Sequence, residues 1–418
     1  MSKLDDLINE FCPNGVEYKL FYEVAEYIRG VTYSKKNEKR DKYNSYKLLR
    51  ANNIDLGFNT LNFNDIKYIS NEIKVKKSQF LYSGDILICA GSGSKEHIGK
   101  VAYICEDTNY IFGGFMGVIR CDDNYLESRY LYHILTSIYF KQYLYKTSRA
   151  CSSTINNINN ATWQNFQIPI PPLPVQKEIV RILDKFTELT TELTTELTLR
   201  KKQYEYYRDF LLSEEQLGDE VKWVKLGDVC IKPASINWQK ENQTEKIYID
   251  LSSVNKDTGR IIDVTKINKN NAPSRAKQII YENDVIFATT RPTQMRCCLI
   301  PEHFNNQICS TGYCVIRPKS KFLHNHFLFH ILRTNLFKQF LKSNQTEGNY
   351  PSISDNKLKG FQIPLPPLEV QERVVKILDK FDSLVNDLSK GLPAEIDARK
   401  KQYEYYRDKL LSFKNIKD

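Results

Sequence analysis

The chain repeats itself, and that repeat limits its possible folds more than any other feature. Residues 166–186 read Phe166-Gln-Ile-Pro-Ile-Pro-Pro-Leu-Pro-Val-Gln-Lys-Glu-Ile-Val-Arg-Ile-Leu-Asp-Lys-Phe186, and they return as residues 361–381 with 15 of 21 positions identical. Arg200 to Ser213 return as Arg399 to Ser412 with one change, Phe210 to Lys409. The first pair is offset by 195 residues and the second by 199, so the distal copy holds four extra residues between its two blocks. The stretches ahead of the blocks match loosely: Gly117-Val-Ile-Arg120 with Cys314-Val-Ile-Arg317, Tyr130–Leu135 with Phe327–Leu332, and Ser83–Ile88 with Glu282–Phe287. The plan is two divergent globular domains (residues 1–165 and 218–360), each followed by a nearly identical segment (166–217 and 361–418).

The repeated segments read as helices. Pro169, Pro171, Pro172 and Pro174 end an extended stretch and fit only before or within a first helical turn. Val175, Ile179, Ile182, Phe186, Leu189 and Leu193 then follow at steps of 4, 3, 4, 3 and 4, a heptad seam. Val370, Val374, Ile377, Phe381, Leu384 and Leu388 repeat it. Gly391 and Pro393 predict a break in the distal helix and a restart near Pro393. The globular segments instead alternate short β-branched and aromatic runs, such as Lys100–Cys105 and Thr311–Arg317, with polar loops, and each has one clear helical stretch (129–145 and 325–342). The expectation is α+β, with two domains of mostly antiparallel sheet, separated and followed by long helices in a pseudo-twofold internal repeat.

Charge is unevenly spread. Of the 60 basic and 50 acidic side chains, residues 1–165 hold 21 and 18, residues 166–217 hold 7 and 9, residues 218–360 hold 21 and 13, and residues 361–418 hold 11 and 10. The excess of +10 therefore sits chiefly in the second globular segment, which points to a polyanionic partner. No apolar run approaches the roughly 20 residues of a membrane span. Asp5, Asp6 and Glu10 stand where a signal peptide needs a basic start and an apolar middle. Ten irregularly spaced cysteines suit a reducing cytoplasm better than a disulfide framework.

Catalytic motifs fail on inspection. The loop Gly91–Lys100 has Ser94 where a P-loop needs glycine, and Val101 where it needs Ser or Thr. Asp65, Glu72 and Lys74 have the residue types of a metal-dependent nuclease, but the second domain has no counterpart. Cys297, Cys298, Cys309 and Cys314 include no Cys-x-x-Cys pair and read as buried strand residues rather than a zinc site. His133 and His330 hold equivalent places in the two repeats, which favours packing over catalysis. A methyltransferase would need a glycine-rich cofactor turn and an Asn/Asp-Pro-Pro-aromatic loop; Phe112–Gly117 matches the first poorly and nothing matches the second. A large two-domain chain with a helix-pairing seam and no recognisable chemistry reads as a recognition and assembly component.

This arrangement resembles the specificity subunit of Type I restriction-modification systems. The resemblance covers nearly the whole chain and rests on the domain–helix repeat and on its wording, Ile168-Pro-Ile-Pro-Pro-Leu173, Gln176, Ile179 and Leu183-Asp184, with Leu-Asp restated at Leu378-Asp379. It implies a subunit without catalytic residues or a bound metal, whose two target recognition domains each read half of a split site on double-stranded DNA. It implies helices paired as an antiparallel coiled coil that docks two methyltransferase subunits, with two motor-nuclease subunits able to join. S-adenosylmethionine, ATP and Mg would then belong to those partners, and the setting would be the cytoplasm. A self-sufficient modification or restriction enzyme is the alternative, and it predicts methylation or cleavage by the chain alone. A purely structural scaffold would need neither the two domains nor their basic excess. One departure from a generic member is central: Thr187-Glu-Leu-Thr190, Thr191-Glu-Leu-Thr194 and Thr195-Glu-Leu-Thr198 are three tandem copies of one tetrapeptide.

Base-reading candidates are chosen by side-chain chemistry in loops, since Arg and Lys suit guanine, Asn and Gln suit adenine, and Ser or Thr suit phosphate and thymine. In the first domain these are Arg50, Asn52, Asn53, Ser92, Ser94, Lys95, Arg149, Ser152 and Ser153. In the second they are Ser252, Lys256, Arg275, Thr290, Arg291, Gln294, Arg296, Asn344, Gln345 and Tyr350.

Overall fold

The computed structural model describes residues 3–39, 43–55, 57, 59–93, 95–150, 158–218, 221–241, 244–387 and 389–417. The chain divides into two compact units, Met1–Thr191 with Ala398–Asp418 (unit 1) and Glu192–Asp397 (unit 2).

Unit 1 is built on a four-stranded antiparallel sheet in the order Ala25–Arg29, Met116–Cys121, Ile86–Cys89, Val101–Tyr103. Ile86, Leu87, Ile88 and Cys89 are all buried, so both faces of this central strand are covered. A second sheet runs Glu38–Lys39, Lys67–Ser70, Ser45–Leu49, Tyr110–Phe112, and its last pair is parallel. Unit 2 repeats the first sheet with Cys230–Ile231, Tyr313–Pro318, Val285–Ala288 and Cys297–Leu299. Its second sheet again contains one parallel pair, Lys246–Ile249 with Gln307–Ser310. The same ion pair pins each first sheet. Arg120 grips Asp85 through Nε at 2.8 Å and Nη2 at 3.0 Å, and Arg317 grips Asp284 at 2.8 and 2.7 Å. Both aspartates are buried, and a two-pronged guanidinium is the partner that best offsets their desolvation.

Each domain leaves its fold through an Ile-Pro strand. Gln167–Ile170 pairs with Glu17–Leu20 and Gln362–Leu365 with Lys222–Lys225, in two-stranded ladders where proline is tolerated. Five helices carry the functional geometry: α1 (Ser128–Thr136), α2 (Leu173–Leu211), α3 (Asn325–Ile331), α4 (Leu368–Asn386) and α5 (Leu392–Leu410). The division between units falls inside α2 and inside α5. The repeated glutamine seats each helix start. Gln176 Nε2 donates to the carbonyls of Tyr125 and Pro171, and its Oε1 accepts from the Glu127 amide. Gln371 makes the same three bonds, to Phe322, Pro366 and His324. The distal segment does break where expected. Gly391 lies so close to the end of α4 that a Cβ there would come within 2.5 Å of the Ser383 carbonyl, and Pro393 falls in the first turn of α5.

The heptad seam takes a different shape from a two-helix coiled coil. Val175, Ile179 and Val374 are buried, Ile182, Val370 and Phe381 pack against the cores from the side, and Phe186 is half-buried. Leu183 and Leu378, one position along, are fully buried, while Leu189, Ile377 and Leu384 are exposed. Leu193 is half-buried, and Leu388 lies outside the described residues. The reason is that the first half of each helix packs on its own globular domain as well as on a second helix, so the buried stripe is wider and rotated from a strict 3.5-residue line. The helices do meet within each unit. Phe186 stacks on Tyr406 in unit 1, and Tyr207 stacks on Phe381 in unit 2, with centroids 5.5 and 5.6 Å apart.

Candidate nucleic-acid interface and the joint beneath it

In unit 1 a cleft of about 620 Å³ opens between the two sheets. Arg29, Lys35, Arg50, Asn52, Ser92, His97 and the loop Gly113-Gly114-Phe115-Met116 line it. The glycine loop exists because two backbones cross there: Val31 bridges Gly113, and a side chain at Gly30 would collide with the Gly113 carbonyl. Phe115 projects from this loop with 69% of its surface exposed, an apolar face suited to stacking on a base or sugar. Three cations (Arg29, Lys35, Arg50) face one carboxylate (Glu38) among these lining residues.

The candidates divide sharply once placed. Arg50 Nη2 meets Asp65 at 2.7 Å, Asn52 Nδ2 meets the same oxygen at 2.8 Å, and both side chains reach the cleft. Asp65 is therefore a holder for two cleft residues rather than part of a nuclease triplet. Asn53 is fully buried, accepts from the Arg50 amide and donates to the carbonyls of Asn62 and Asp65, so it shapes the loop. Lys95 opens a short turn ending at His97, and Arg149 lies near the end of the helix Ile138–Ala150. Ser94, Ser152 and Ser153 lie outside the described residues. Arg29, Lys35, His97 and Phe115 were not singled out by sequence, although Phe115 beside paired glycines carried a usable signal.

In unit 2 the turn Thr290–Arg296 gathers five candidates at its own surface and in the loop across from it. Thr290 bridges Ser352, the Arg291 amide donates to the Pro351 carbonyl at 2.7 Å, and the Arg291 guanidinium lies 5.0 Å over the ring of Tyr350. Arg296 points elsewhere: its Nη1 donates to the carbonyls of Leu251 and Val254, and its Nε to Gln294. Asn344 donates back to Phe340, and the Gln345 side-chain oxygen is buried without a hydrogen-bond partner. Ser252, Lys256 and Arg275 are exposed.

Each unit also holds its own copy of the same three-helix joint. In unit 1, His133 on α1 is fully buried, with Nε2 2.9 Å from Asp184 on α2 and Nδ1 3.0 Å from the Tyr403 hydroxyl on α5. In unit 2, His330 on α3 stands 2.8 Å from Asp379 on α4 and 3.0 Å from Tyr204 on α2. A carboxylate only accepts, so Nε2–H donates to it and the tyrosine donates to Nδ1 of a neutral imidazole. Burial is what holds both histidines below their usual range, against the pull of the aspartates. Burial also raises Tyr204 and Tyr403, keeping their hydroxyl protons in place. Burial pushes Asp379 up, but hydrogen bonds from His326 and His330 outweigh it and hold the group low. Each tyrosine thus comes from the block that follows the other domain. The aspartates do the same: Asp209 accepts from the Asn335 amide at the start of one domain helix, and Asp408 from the Ile138 amide at the start of the other.

Nothing in this arrangement assembles a metal site among the described residues. Cys297 and Cys314 belong to one core and Cys298 and Cys309 to another, because neighbouring residues of a strand face opposite ways. No described helix is long and apolar enough to cross a membrane.

Comparison with known proteins agrees with this geometry. The family model for the Type I restriction modification DNA specificity domain matches twice, over residues 13–200 and 218–398. The chain belongs to this family: it is a Type I restriction-modification specificity subunit with two recognition domains. The EcoR124I/EcoR124II specificity subunit of Escherichia coli is 32% identical over 71% of this chain and 73% of its own length. The StySPI specificity subunit of Salmonella potsdam is 25% identical over 88% and 82%. Among solved structures, the S subunit from M. genitalium shares the fold with a TM-score of 0.51 over 95% of this chain and 96% of that one, at 15% identity. A chain from a structure of type I restriction-modification complex assembly reaches 0.58 over 96% and 98%, at 19% identity.

Proposed function

We propose that each unit reads one half of a split site on double-stranded DNA, and that the chain itself performs no catalysis. The observation that carries this reading is the contrast inside one molecule. The joints and helix blocks are nearly identical, while the surfaces above them differ in sequence, charge and shape. Duplicated joints suit two copies of one partner, and divergent surfaces suit two different half-sites. Tyr206 and Tyr405 occupy equivalent places in the repeated blocks and are 65% and 62% exposed, so each block offers the same aromatic side chain to a partner. Two methyltransferase subunits would dock on these blocks, and two motor-nuclease subunits would join them, in the cytoplasm. Those partners would carry S-adenosylmethionine, ATP and Mg.

The test is to express the methyltransferase partner with and without this chain, sequence the methylated sites, and weigh the purified complex. A bipartite motif that depends on the chain, in a complex of two methyltransferases to one chain, is expected. Methylation or cleavage by the chain alone would overturn the non-catalytic reading, and a one-to-one complex with both blocks intact would overturn the twofold scheme.

A further inference from the structure

We infer that Arg291 is the guanine-reading residue of unit 2, held ready by Tyr350. The inference rests on the DNA-reading function proposed above and assigns one side chain to one base.

Three observations on the turn converge. Arg291 sits in the left-handed region, φ 50° and ψ 54°, a conformation that side-chain-bearing residues seldom adopt. Met295, closing the same turn, is left-handed as well at φ 56°. Strained backbone of this kind persists only where its surroundings hold it. Here the facing loop does so: the Arg291 amide donates to Pro351, the Ile353 amide to Thr289, and Thr290 bridges Ser352. The second observation is the guanidinium itself. It makes no hydrogen bond or ion pair among the described residues and is exposed, 5.0 Å over the ring of Tyr350, itself 74% exposed. The contact with the ring holds the guanidinium near Tyr350 while leaving its N–H groups without a protein acceptor among the described residues. The third is the neighbouring arginine. Arg296 spends its Nη1 on two backbone carbonyls of its own unit, so it is a structural strut.

A planar fork with an open edge matches the O6 and N7 acceptors that guanine shows in the major groove, and no other base shows that pair. Phosphate also fits the fork, but loss of a phosphate contact would weaken binding to every sequence alike. Tyr350 is a positioning residue: it restricts the rotamers of Arg291 and so lowers the entropy lost on contact.

The experiment uses the chain in complex with its methyltransferase, reading both the methylated motif and binding to duplexes that differ at single positions. Arg291→Gly is the informative variant, because glycine accepts the left-handed backbone and should fold at least as well as the natural protein. One position in one half-site, a guanine in the natural motif, should become degenerate, with discrimination there falling roughly tenfold to a hundredfold. Arg291→Lys should keep a weaker preference, and Tyr350→Ala should blunt the same position while leaving the others alone. An unchanged motif in Arg291→Gly overturns the assignment, and so does an equal loss in both half-sites or at every position, which would mark a phosphate contact. If the natural chain directs no sequence-specific methylation, the proposed function itself fails, and that is seen before any variant is made.

Discussion

Just beyond the shared histidine joint, the two units solve one packing problem in opposite ways. Unit 2 has Arg333 after the repeated Ile-Leu pair and Asp382 after the repeated phenylalanine, where unit 1 has Thr136 and Thr187. Arg333 is mostly covered, with its side chain 12% exposed and Nη1 2.7 Å from Asp382, and it lies over the rings of Phe329 and Tyr204. Asp382 also accepts from Arg260 and Asn386. In unit 1 both threonine hydroxyls turn back to carbonyls of their own helices, Thr136 to His133 and Thr187 to Leu183. The space is left as a cavity of about 290 Å³ lined by Thr136, Thr187, Thr190, Tyr403 and Arg407 among others. The joint therefore does not depend on the ion pair beside it. What has been kept is the three-helix contact, and what has drifted is the filling next to it.

Breaking the ion pair should have the largest effect on this comparison. Arg333→Ala leaves Asp382 buried with weaker partners and should cost about 3–5 kcal/mol, whereas Thr136→Ala in unit 1, losing one buried neutral hydrogen bond, should cost about 0.5–1.5 kcal/mol. Urea unfolding of the two variants measures the difference. The double variant Arg333→Thr with Asp382→Thr, which copies unit 1, should recover most of the loss. If it is no better than the single change, the threonine solution works only in the context of unit 1.

The joint itself should respond equally in both units. Tyr204→Phe and Tyr403→Phe each leave one buried imidazole nitrogen without a donor, which costs about 1–3 kcal/mol. Matching losses would support the equivalence of the two joints. A loss confined to one unit would show that the repeated block serves the two domains differently.

A smaller effect should appear with pH. The folded state holds His133 and His330 neutral because burial lowers both, while the unfolded chain takes up protons near pH 6.5. Stability from these groups is complete above that value and is lost as pH falls below it, by at most about 1.4 kcal/mol per pH unit for each histidine. The groups that face them are Asp184, Arg129, Arg407 and Tyr403 in unit 1, and Asp379, Asp382, Arg333 and Tyr204 in unit 2. Unfolding midpoints at pH 7.5 and 5.5 test this. Replacing both histidines with Asn should flatten the dependence, and an unchanged slope would place its origin elsewhere.

These contrasts also mark what could be read in advance. The helices, the break near Pro393 and the two-domain plan follow from spacing and from the repeat. The equivalence of His133 and His330 pointed to packing, and Asp184 stood in view in the repeated Leu-Asp. Their third partner did not. Tyr403 and Tyr204 lie in a block whose near-identity says that something is shared, but nothing local says that each serves the domain it does not follow. Base-reading residues were least legible for a related reason. Whether an arginine is free depends on carbonyls far along the chain, such as Leu251 and Val254 for Arg296. Whether an asparagine reads or braces depends on burial, as Asn53 shows.

The smallest change in stability, with a large change in target, should come from the tandem Thr-Glu-Leu-Thr copies. All three lie within the unbroken helix α2. Thr187, Thr190, Thr191 and Thr198 donate to carbonyls one turn back, so these four of the six repeated threonines are satisfied within the helix itself. Leu197 packs against the unit 2 core and Leu193 is half-buried, while Leu189 faces outward. The copies are identical in sequence, so removing one leaves the remaining two to supply the same side chains at either end. Deleting Thr191 to Thr194 shortens the helix by about 6 Å and rotates the remainder of α2 by about 40° beyond a full turn. At about 3.4 Å per base pair, that corresponds to one to two base pairs of duplex. The expected outcome is a folded, active chain whose two half-sites keep their sequences while the unread spacer between them changes length. Sequencing the methylated sites of the deletion, and of a variant carrying one additional copy, reads this directly. A spacer that keeps its length in an active variant would sink the idea, as would half-sites that change sequence, since a rise along the helix axis cannot alter which base a loop contacts.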